Sequence, residues 1–367
     1  MRIQRTFFAL LRAGLWGRPL DDIECFPLSN TEWQHIYQKA VQHAVQGILF
    51  DAFEYLDSAL FPPRKLMLTW CTQVEQIERR NQWMNILLAK QSAFFSGHQL
   101  YPLLLKGQGL AQYYRNPSHR ICGDIDWYFP SPESFQAANR LVRAQGIPVI
   151  GVAGNSALYT WEGCEIDHHQ RLFDFHNPFL RKYLDGLIKP QNQSTVKIEN
   201  QDVPILDSTL QLLQVNAHIL KHLLSFGIGL KQLCDAARLY AVNHQHMDST
   251  LLKQVYTKTR TLKWVNVLHH ILVEHIGLYE VLLPFKMSKQ KKDSRWMLHE
   301  IWDGGNFGFY DTTHPTRMQD GQLKRQGRIH RIWKNFQLYF PYAPTEALFF
   351  PIVHFYSGLI SRKYTKR

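Results

Sequence analysis

Two aspartates, Asp124 and Asp126, stand one residue apart within the short apolar segment of residues 121–129. This segment predicts a β-strand, and alternate residues of a strand point to the same side. Two carboxylates so close together repel each other unless a cation lies between them. Mg²⁺ suits this position, since it binds a few carboxylates and leaves its other positions to water and phosphate oxygens. The pair therefore predicts a site for Mg²⁺ (or Mn²⁺) and a phosphorylated substrate.

A glycine-containing turn precedes the two aspartates. The leucines of residues 103–105 predict a buried strand, residues 107–109 predict a turn, and a helix is expected to follow it. The turn offers backbone N–H groups to a phosphate, and nearby cationic side chains can neutralise phosphate charge. We therefore expect a nucleoside triphosphate (NTP) to be bound by Lys106, Gly107, Gln108 and Arg120. An alternative for Arg120 is a purely structural pair with Asp124.

A third carboxylate, Asp167, lies in a second predicted strand at residues 164–169. Three carboxylates that hold two adjacent divalent ions form the arrangement used in nucleotidyl transfer, and Asp167 would then bridge the ions or act as the base. Glu165 lies on the same face and competes with Asp167 for this role. His168 and His169 face opposite sides of the strand, so one is expected to line the site and the other to be packed.

Composition describes an ordinary globular chain with an excess of positive charge. Apolar residues make up 45% and charged residues 20% of the 367 positions, and the formal net charge is +12. This charge favours polyanionic partners such as nucleotides, RNA or acidic surfaces. The five cysteines show no C-x-x-C spacing, which favours reduced, buried thiols in a cytoplasmic protein.

No segment is expected to serve as a signal peptide or to span a membrane. Arg12 interrupts the apolar run near the start, and no small-residue cleavage site follows it. The apolar residues 348–360 are too short for a spanning helix of about 20 residues and contain Pro351 and His354.

Periodicity divides the chain into three regions. Residues 1–98 are predicted to be helical, with one long helix over 64–96. Residues 99–206 alternate predicted strands at 100–105, 121–129, 149–152, 157–161 and 164–169 with a helix at 134–145, which indicates a small α/β unit. Residues 207–367 are predicted to be helical again, with helices over 208–224, 230–242 and 251–276. His218 and His222 share a face of the first of these, as a polar seam that could include Asp235, whereas Asp174 is expected at the surface.

One run of residues resembles the uncharacterised bacterial nucleotidyltransferase family of the polymerase-β-like superfamily: Leu104-Leu105-Lys106-Gly107, Leu110-Ala111, Tyr113-Tyr114, Pro117, Arg120 and Gly123-Asp124-Ile125-Asp126. The resemblance covers roughly residues 5–240 and is most specific in the Lys-Gly to Asp-x-Asp block. It implies an α+β fold, with a small mixed-sheet nucleotidyltransferase core at 99–206 flanked by the helical regions 1–98 and 207–367. It also implies an Mg²⁺-dependent enzyme with catalytic and metal-binding residues Asp124, Asp126 and Asp167.

The resemblance implies transfer of a nucleoside monophosphate (NMP) from an NTP to an unknown hydroxyl acceptor, which could belong to a small molecule, a protein or an RNA. The chain departs from the wider superfamily where Gln108 replaces the serine that usually follows the glycine, so one expected phosphate contact is missing. Two alternatives remain open. One is a toxin-type enzyme that modifies RNA or tRNA, and the other is an inactive nucleotide-binding or scaffold protein.

Overall fold

The structure is a computed structural model that describes residues 2–152, 156–189, 191–288, 294–308, 310 and 325–364, with the backbone alone described for 325–330 and 356–364. The α-helices in these ranges are α1 Arg2–Trp16, α2 Asn30–Gln42, α3 Gln46–Asp51, α4 Arg64–Gly97, α5 Gly107–Ala111, α6 Pro132–Ala144, α7 Arg181–Asp185, α8 Ser208–Ser225, α9 Leu230–Asn243, α10 Ser249–Lys258, α11 Leu262–Glu274, α12 Arg295–Gly304, α13 Arg325–Tyr339 and α14 Pro344–Tyr364. The strands are β1 Leu103–Leu105, β2 Ile125–Tyr128, β3 Ile150–Val152, β4 Ser156–Trp161, β5 Cys164–His169, β6 Gln193–Ile198 and β7 Gln201–Leu206.

These strands form one mixed sheet with the order β3-β4-β5-β2-β1-β7-β6. Strand β2 pairs with β5 in parallel and with β1 in antiparallel orientation, and β1 pairs with β7 in parallel. The β2–β5 register places Asp126 directly opposite Asp167. The fold class expected from the sequence, an α+β protein with a mixed sheet and flanking helices, is confirmed.

The hairpin of β6 and β7 was not predicted, although it supplies two of the seven strands. Strand β6 is mostly exposed and polar, so it lacks the apolar alternation by which a half-buried strand is recognised. Pro204 lies inside β7, and proline usually argues against a paired strand. The pairing of β7 with β1 is therefore decided by tertiary contacts.

The predicted helix over 251–276 is two helices, α10 and α11. The break lies at residues 259–261, where Arg260 has a φ of 57°. This left-handed conformation ends α10, and the buried hydroxyls of Thr259 and Thr261 lie 2.8 Å apart across the turn. The spacing of apolar residues continues through the break, which is why periodicity alone did not detect it.

Helices that precede the sheet in sequence and helices that follow it share one hydrophobic core. Phe7 of α1 and Trp33 of α2 belong to the same buried cluster as Leu233 and Tyr240 of α9. A second cluster covers the sheet and includes Trp127 of β2 together with side chains of α4 and α6. The division into three regions at residues 98 and 206 stays a prediction.

All five cysteines are unpaired, and four of them are buried, whereas Cys71 is exposed. The expectation of buried thiols is met by four cysteines and is wrong for Cys71, and the reduced state and the cytoplasmic location stay predictions. Among the described residues, no helix has the length and apolar character that crossing a bilayer requires.

Candidate active site

A cavity of about 300 Å³ lies beside the sheet and is closed by α8 and α9. Its lining includes the carboxylates Asp124, Asp126, Asp167, Asp174 and Asp235, the cations Lys106, Arg120, Lys221 and Lys231, and the histidines His169, His218 and His222. A wider groove of about 610 Å³ along α10 contains no carboxylate among its lining residues. The smaller cavity therefore brings carboxylates, cations and histidines together.

Asp126 is a buried carboxylate with two partners. Its Oδ1 lies 3.2 Å from Lys106 Nζ and 2.7 Å from His169 Nε2. Burial alone would raise the pKa of Asp126, but Lys106 and His169 outweigh it and hold the pKa well below its usual range. Asp126 is therefore a stable anion at neutral pH.

Asp167 lies beside Asp126 but is poorly compensated. Its Oδ2 is 3.4 Å from His169 Nε2, and its buried Oδ1 has no hydrogen-bond partner. Burial raises the pKa of Asp167 to about 6. A buried carboxylate oxygen without a partner is uncommon in folded proteins and fits a position where a cation binds.

The sequence placed Asp124 in the same strand as Asp126, and this expectation is wrong, because β2 begins at Ile125. Asp124 precedes β2 and lies at the edge of the cavity, where its side chain is exposed. The negative charge of Asp126 is the main cause of a raised pKa at Asp124, and partial burial of the carboxyl adds to it. Glu165, the competing carboxylate on β5, is exposed and is not among the residues that line the cavity. Of the two candidates on β5, Asp167 is the one that shares the cavity with Asp124 and Asp126.

The donor set fits a divalent cation. One ligand atom each from Asp126, Asp167 and His169 lie within 4.8 Å of one another. Carboxylate oxygens suit Mg²⁺ and Mn²⁺, and an imidazole nitrogen is accepted more readily by the transition metal. Asp124 lies outside this three-atom group, and its assignment as a metal ligand stays a prediction.

The turn predicted at residues 107–109 is already the start of α5, and the bend into this helix at Lys106 and Gly107 approaches β2 closely. Lys106 has a φ of 49° and Gly107 a φ of 39°, so two successive residues adopt conformations that side chains disfavour. A Cβ on Gly107 would lie 3.3 Å from the backbone oxygen of Asp124. Glycine therefore lets the start of α5 lie against the start of β2, and the turn holds the Lys106 ammonium at Asp126.

Gln108 points away from the cavity. Its side chain is buried, and its amide nitrogen lies 3.4 Å from Asn81 Oδ1 of α4. Asn81 in turn donates to the backbone oxygens of Ser118 and Arg120. A nucleotide contact from Gln108 would therefore come from its backbone.

Arg120 pairs with Asp235 rather than with Asp124. Its Nε and Nη2 donate to the two carboxylate oxygens of Asp235 at 2.6 and 2.8 Å, and Tyr114 donates its hydroxyl to the same carboxylate at 2.7 Å. All three side chains are buried. Arg120 lines the cavity, so its predicted phosphate contact stays a prediction, but its guanidinium also holds α9 against the loop before β2.

The seam on α8 is built differently from the expectation. His218 Nδ1 and Lys221 Nζ lie 2.8 and 2.7 Å from the two oxygens of Asp174. Asp174 was expected at the surface, and this expectation is wrong, because it lines the cavity with only 27% of its side chain exposed. Burial alone would raise the pKa of Asp174, but Lys221 and His218 hold it well below the usual range.

Lys231 of α9 was missed by the sequence reasoning. Its Nζ donates to the backbone oxygen of Ile121 at 3.2 Å, and burial lowers its pKa. Lys231 and Asp235 are four residues apart and share a helix face. A charged pair at this spacing within a largely buried helix was the available signal.

The two adjacent histidines of β5 face opposite sides. His169 lines the cavity, whereas His168 is fully buried between the Tyr159 hydroxyl and Asn139 Oδ1, each 2.8 Å from a ring nitrogen. Burial lowers the pKa of His168 to about 3, so it is neutral. Strand alternation predicted this division of roles, but not which histidine takes which.

Comparison with known proteins identifies the family of this chain. The profile of a family described as uncharacterised nucleotidyltransferases matches residues 29–274. No curated protein matches the chain. Among solved structures, an antigenic nucleotidyltransferase-like protein from Paracoccidioides brasiliensis is similar, with 13% identity and a TM-score of 0.31 over 48% of this chain and 88% of that one. Since the family profile covers more than half of the chain, this protein belongs to the uncharacterised nucleotidyltransferase family.

Proposed function

We propose that this chain transfers an NMP from an NTP to a hydroxyl acceptor with the help of a divalent cation. The acceptor oxygen would form a bond to the α-phosphorus while the bond from that phosphorus to the leaving pyrophosphate breaks. The observation that carries the proposal is the cluster of Asp124, Asp126 and Asp167, in which Asp167 keeps a buried oxygen without a partner, in a cavity that cationic side chains also line.

The aspartates are the proposed catalytic and metal-binding residues. A divalent ion bound there would neutralise phosphate charge and lower the pKa of the acceptor hydroxyl. Asp126 is already ionised by its contacts with Lys106 and His169, so its carboxylate is ready to bind a cation. Asp167 keeps one buried oxygen without a partner, which supports a role as ligand or as the base next to the acceptor.

The proposed triphosphate site lies between the turn and the two helices. Lys106 comes from the turn, Lys221 from α8 and Lys231 from α9, and all three line the cavity. Backbone N–H groups at Gly107 and Gln108 add donors that cost no reorganisation during the reaction. Because no serine hydroxyl follows Gly107, side-chain cations are expected to carry more of the phosphate binding.

The test is a calorimetric titration of the full chain with ATP, GTP, CTP and UTP in Mg²⁺, followed by a pyrophosphate-release assay against hydroxyl acceptors. The acceptor panel includes small molecules, proteins and RNA. We expect at least one NTP to bind and release pyrophosphate, and Asp167→Asn to abolish the release. Glu165→Gln is the matched control, because Glu165 lies on the same strand outside the cavity.

Failure of the wild-type protein to bind any of the four NTPs in Mg²⁺ would show the proposal to be wrong. NTP binding without pyrophosphate release across the whole panel would favour the inactive nucleotide-binding alternative. Release that depends on RNA or tRNA alone would identify the acceptor as that of the toxin-type enzymes.

A further inference from the structure

Phe307 lines the cavity from outside the segment that matches the family. It follows α12 in a short turn and is half-buried. Among the described residues that line the cavity, it supplies the one phenyl, phenol or indole ring. Its centroid lies 5.1 Å from that of His222, which packs against His218 at 4.3 Å. An aromatic face is therefore placed in a cavity whose other contacts are dominated by charged groups.

The backbone at Phe307 is strained. Its φ of 53° and ψ of 26° lie in the left-handed region, which non-glycine residues adopt rarely. Such a conformation persists when the surrounding structure holds it, and it is concentrated at functional sites. Gly305 and Gly308 on either side also have positive φ values, of 62° and 63°.

The turn is held firmly against the connection between α8 and α9. A Cβ on Gly308 would lie 2.0 Å from the backbone oxygen of Phe226, and a Cβ on Gly229 would lie 3.1 Å from the Cα of Asn306. Gln232 of α9 donates to Asn306 Oδ1 at 3.2 Å. The position of the Phe307 ring is thus fixed by contacts with the two helices that close the cavity.

We propose that the Phe307 ring is the surface on which the nucleobase of the bound nucleotide stacks. The inference rests on the proposed function, because it assumes that a nucleotide occupies this cavity. A triphosphate requires the cations at Lys106, Lys221 and Lys231, whereas a base requires a flat apolar face. Every nucleobase has a π-face, so stacking binds the base without specifying its identity.

The test measures the contributions of the base and of the triphosphate to the affinity separately. Calorimetry in Mg²⁺ measures the affinity of the full chain for ATP and, separately, for inorganic tripolyphosphate, which has no base. We expect Phe307→Leu to weaken ATP binding about tenfold, because one base–aromatic stack is lost, and to leave tripolyphosphate binding unchanged. Phe307→Tyr keeps the ring and should keep the ATP affinity. Phe355→Leu is the matched control, since Phe355 is exposed on α14 and is not among the lining residues.

Phe307→Asn is a second variant in case Phe307→Leu does not fold, because asparagine adopts the left-handed backbone conformation more readily than other non-glycine residues do. It should lose ATP affinity as Phe307→Leu does. Unchanged ATP affinity in both variants, or an equal loss for ATP and tripolyphosphate, would overturn the stacking role while leaving the proposed function standing. A wild-type protein that binds neither tripolyphosphate nor any of the four NTPs would overturn both.

Discussion

Asp126 and Asp167 lie directly opposite each other on the parallel strands β2 and β5, and His169 Nε2 is 2.7 Å from the first carboxylate and 3.4 Å from the second. Residues paired on adjacent parallel strands have their side chains on the same face of the sheet, so the register places the two carboxylates side by side. Lys106 contacts Asp126, at 3.2 Å, whereas a buried oxygen of Asp167 has no hydrogen-bond partner. The pair is therefore unequal, with one compensated carboxylate and one that is short of a cation.

The contact between Asp126 and Lys106 distinguishes two variants, Asp126→Asn and Asp124→Asn, for which the sequence alone predicts the same effect on stability. Removing either carboxylate of the Asp-x-Asp pair relieves repulsion, which by itself predicts unchanged or higher stability. In the structure, Asp126→Asn deprives the largely buried Lys106 ammonium of its partner, and we expect the free energy of unfolding to fall by about 2 kcal/mol. Asp124→Asn removes an exposed carboxylate repelled by Asp126, so its stability should equal or exceed that of the wild type. Urea unfolding in a metal-free buffer measures both, and a more stable Asp126→Asn protein would contradict the assignment.

Arg120 gives a second prediction. Arg120→Ala leaves the Asp235 carboxylate buried without its ionic partner, and we expect a loss of about 3 kcal/mol in the free energy of unfolding. The double variant Arg120→Met/Asp235→Leu removes both charges and should recover most of that loss. Chemical denaturation of the wild type, Arg120→Ala and the double variant measures the loss and its recovery. A double variant no more stable than Arg120→Ala would show that the pair does not act as a unit.

The recovered double variant also tests the phosphate contact that the sequence assigns to Arg120. We expect the ATP affinity of the double variant in Mg²⁺ to change little. The removed ion pair has no net charge, and Asp235 accepts hydrogen bonds from two N–H groups of the Arg120 guanidinium. Lys106→Ala should weaken ATP binding more. A large loss of ATP affinity in the stably folded double variant would instead establish the contact with phosphate.

His119 provides a pH-dependent prediction away from the cavity. Its Nδ1 lies 2.6 Å from Asp51 Oδ1 and its Nε2 lies 2.8 Å from Glu78 Oε1, and both nitrogens can donate only when the ring is protonated. Burial alone would lower the pKa of His119, but the two carboxylates outweigh it and the pKa is raised. A group with a raised pKa in the folded state stabilises fully below its unfolded pKa of about 6.5 and loses that contribution as pH rises through the folded value.

We therefore expect the stability difference between the wild type and His119→Gln to be largest near pH 6 and to shrink by about pH 9. Urea titrations across this range measure it. His246→Gln, at an exposed histidine, is the control and should show a smaller change with pH. A difference that grows with pH would contradict the sign derived from the two carboxylate contacts.

The presence of His169 in the donor set predicts a difference between metals. Mg²⁺ prefers oxygen ligands, whereas Mn²⁺ also accepts an imidazole nitrogen. We expect His169→Gln to weaken Mn²⁺ binding more than Mg²⁺ binding, and Asp167→Asn to weaken both. Calorimetric titration of the wild type and both variants with each chloride salt, in the absence of nucleotide, measures the six affinities. Equal losses of Mn²⁺ affinity and Mg²⁺ affinity in His169→Gln would show that its nitrogen is not a ligand.

Several elements of the site could be predicted because their signals are local. Strand β5 occupies the predicted residues 164–169, and the long helix α4 was predicted to within one residue at its end. The strand at Asp126 follows from an apolar run a few residues long, whereas the glycines predicted a turn at residues 107–109, where α5 already begins. The same local alternation predicted that one histidine of β5 would face the site and the other the core.

The partners of these residues depend on contacts between distant parts of the chain. The sequence alone determined the strand that carries Asp126, the strand that carries Asp167 and the family, since motifs and periodicity are properties of neighbouring residues. Only the tertiary structure decided that Arg120 binds Asp235, that Asp174 turns inward to Lys221, and that Phe307 reaches the cavity. Each of these contacts is made when helices from the C-terminal half pack against the sheet, and no spacing along the chain specifies which side chains then meet.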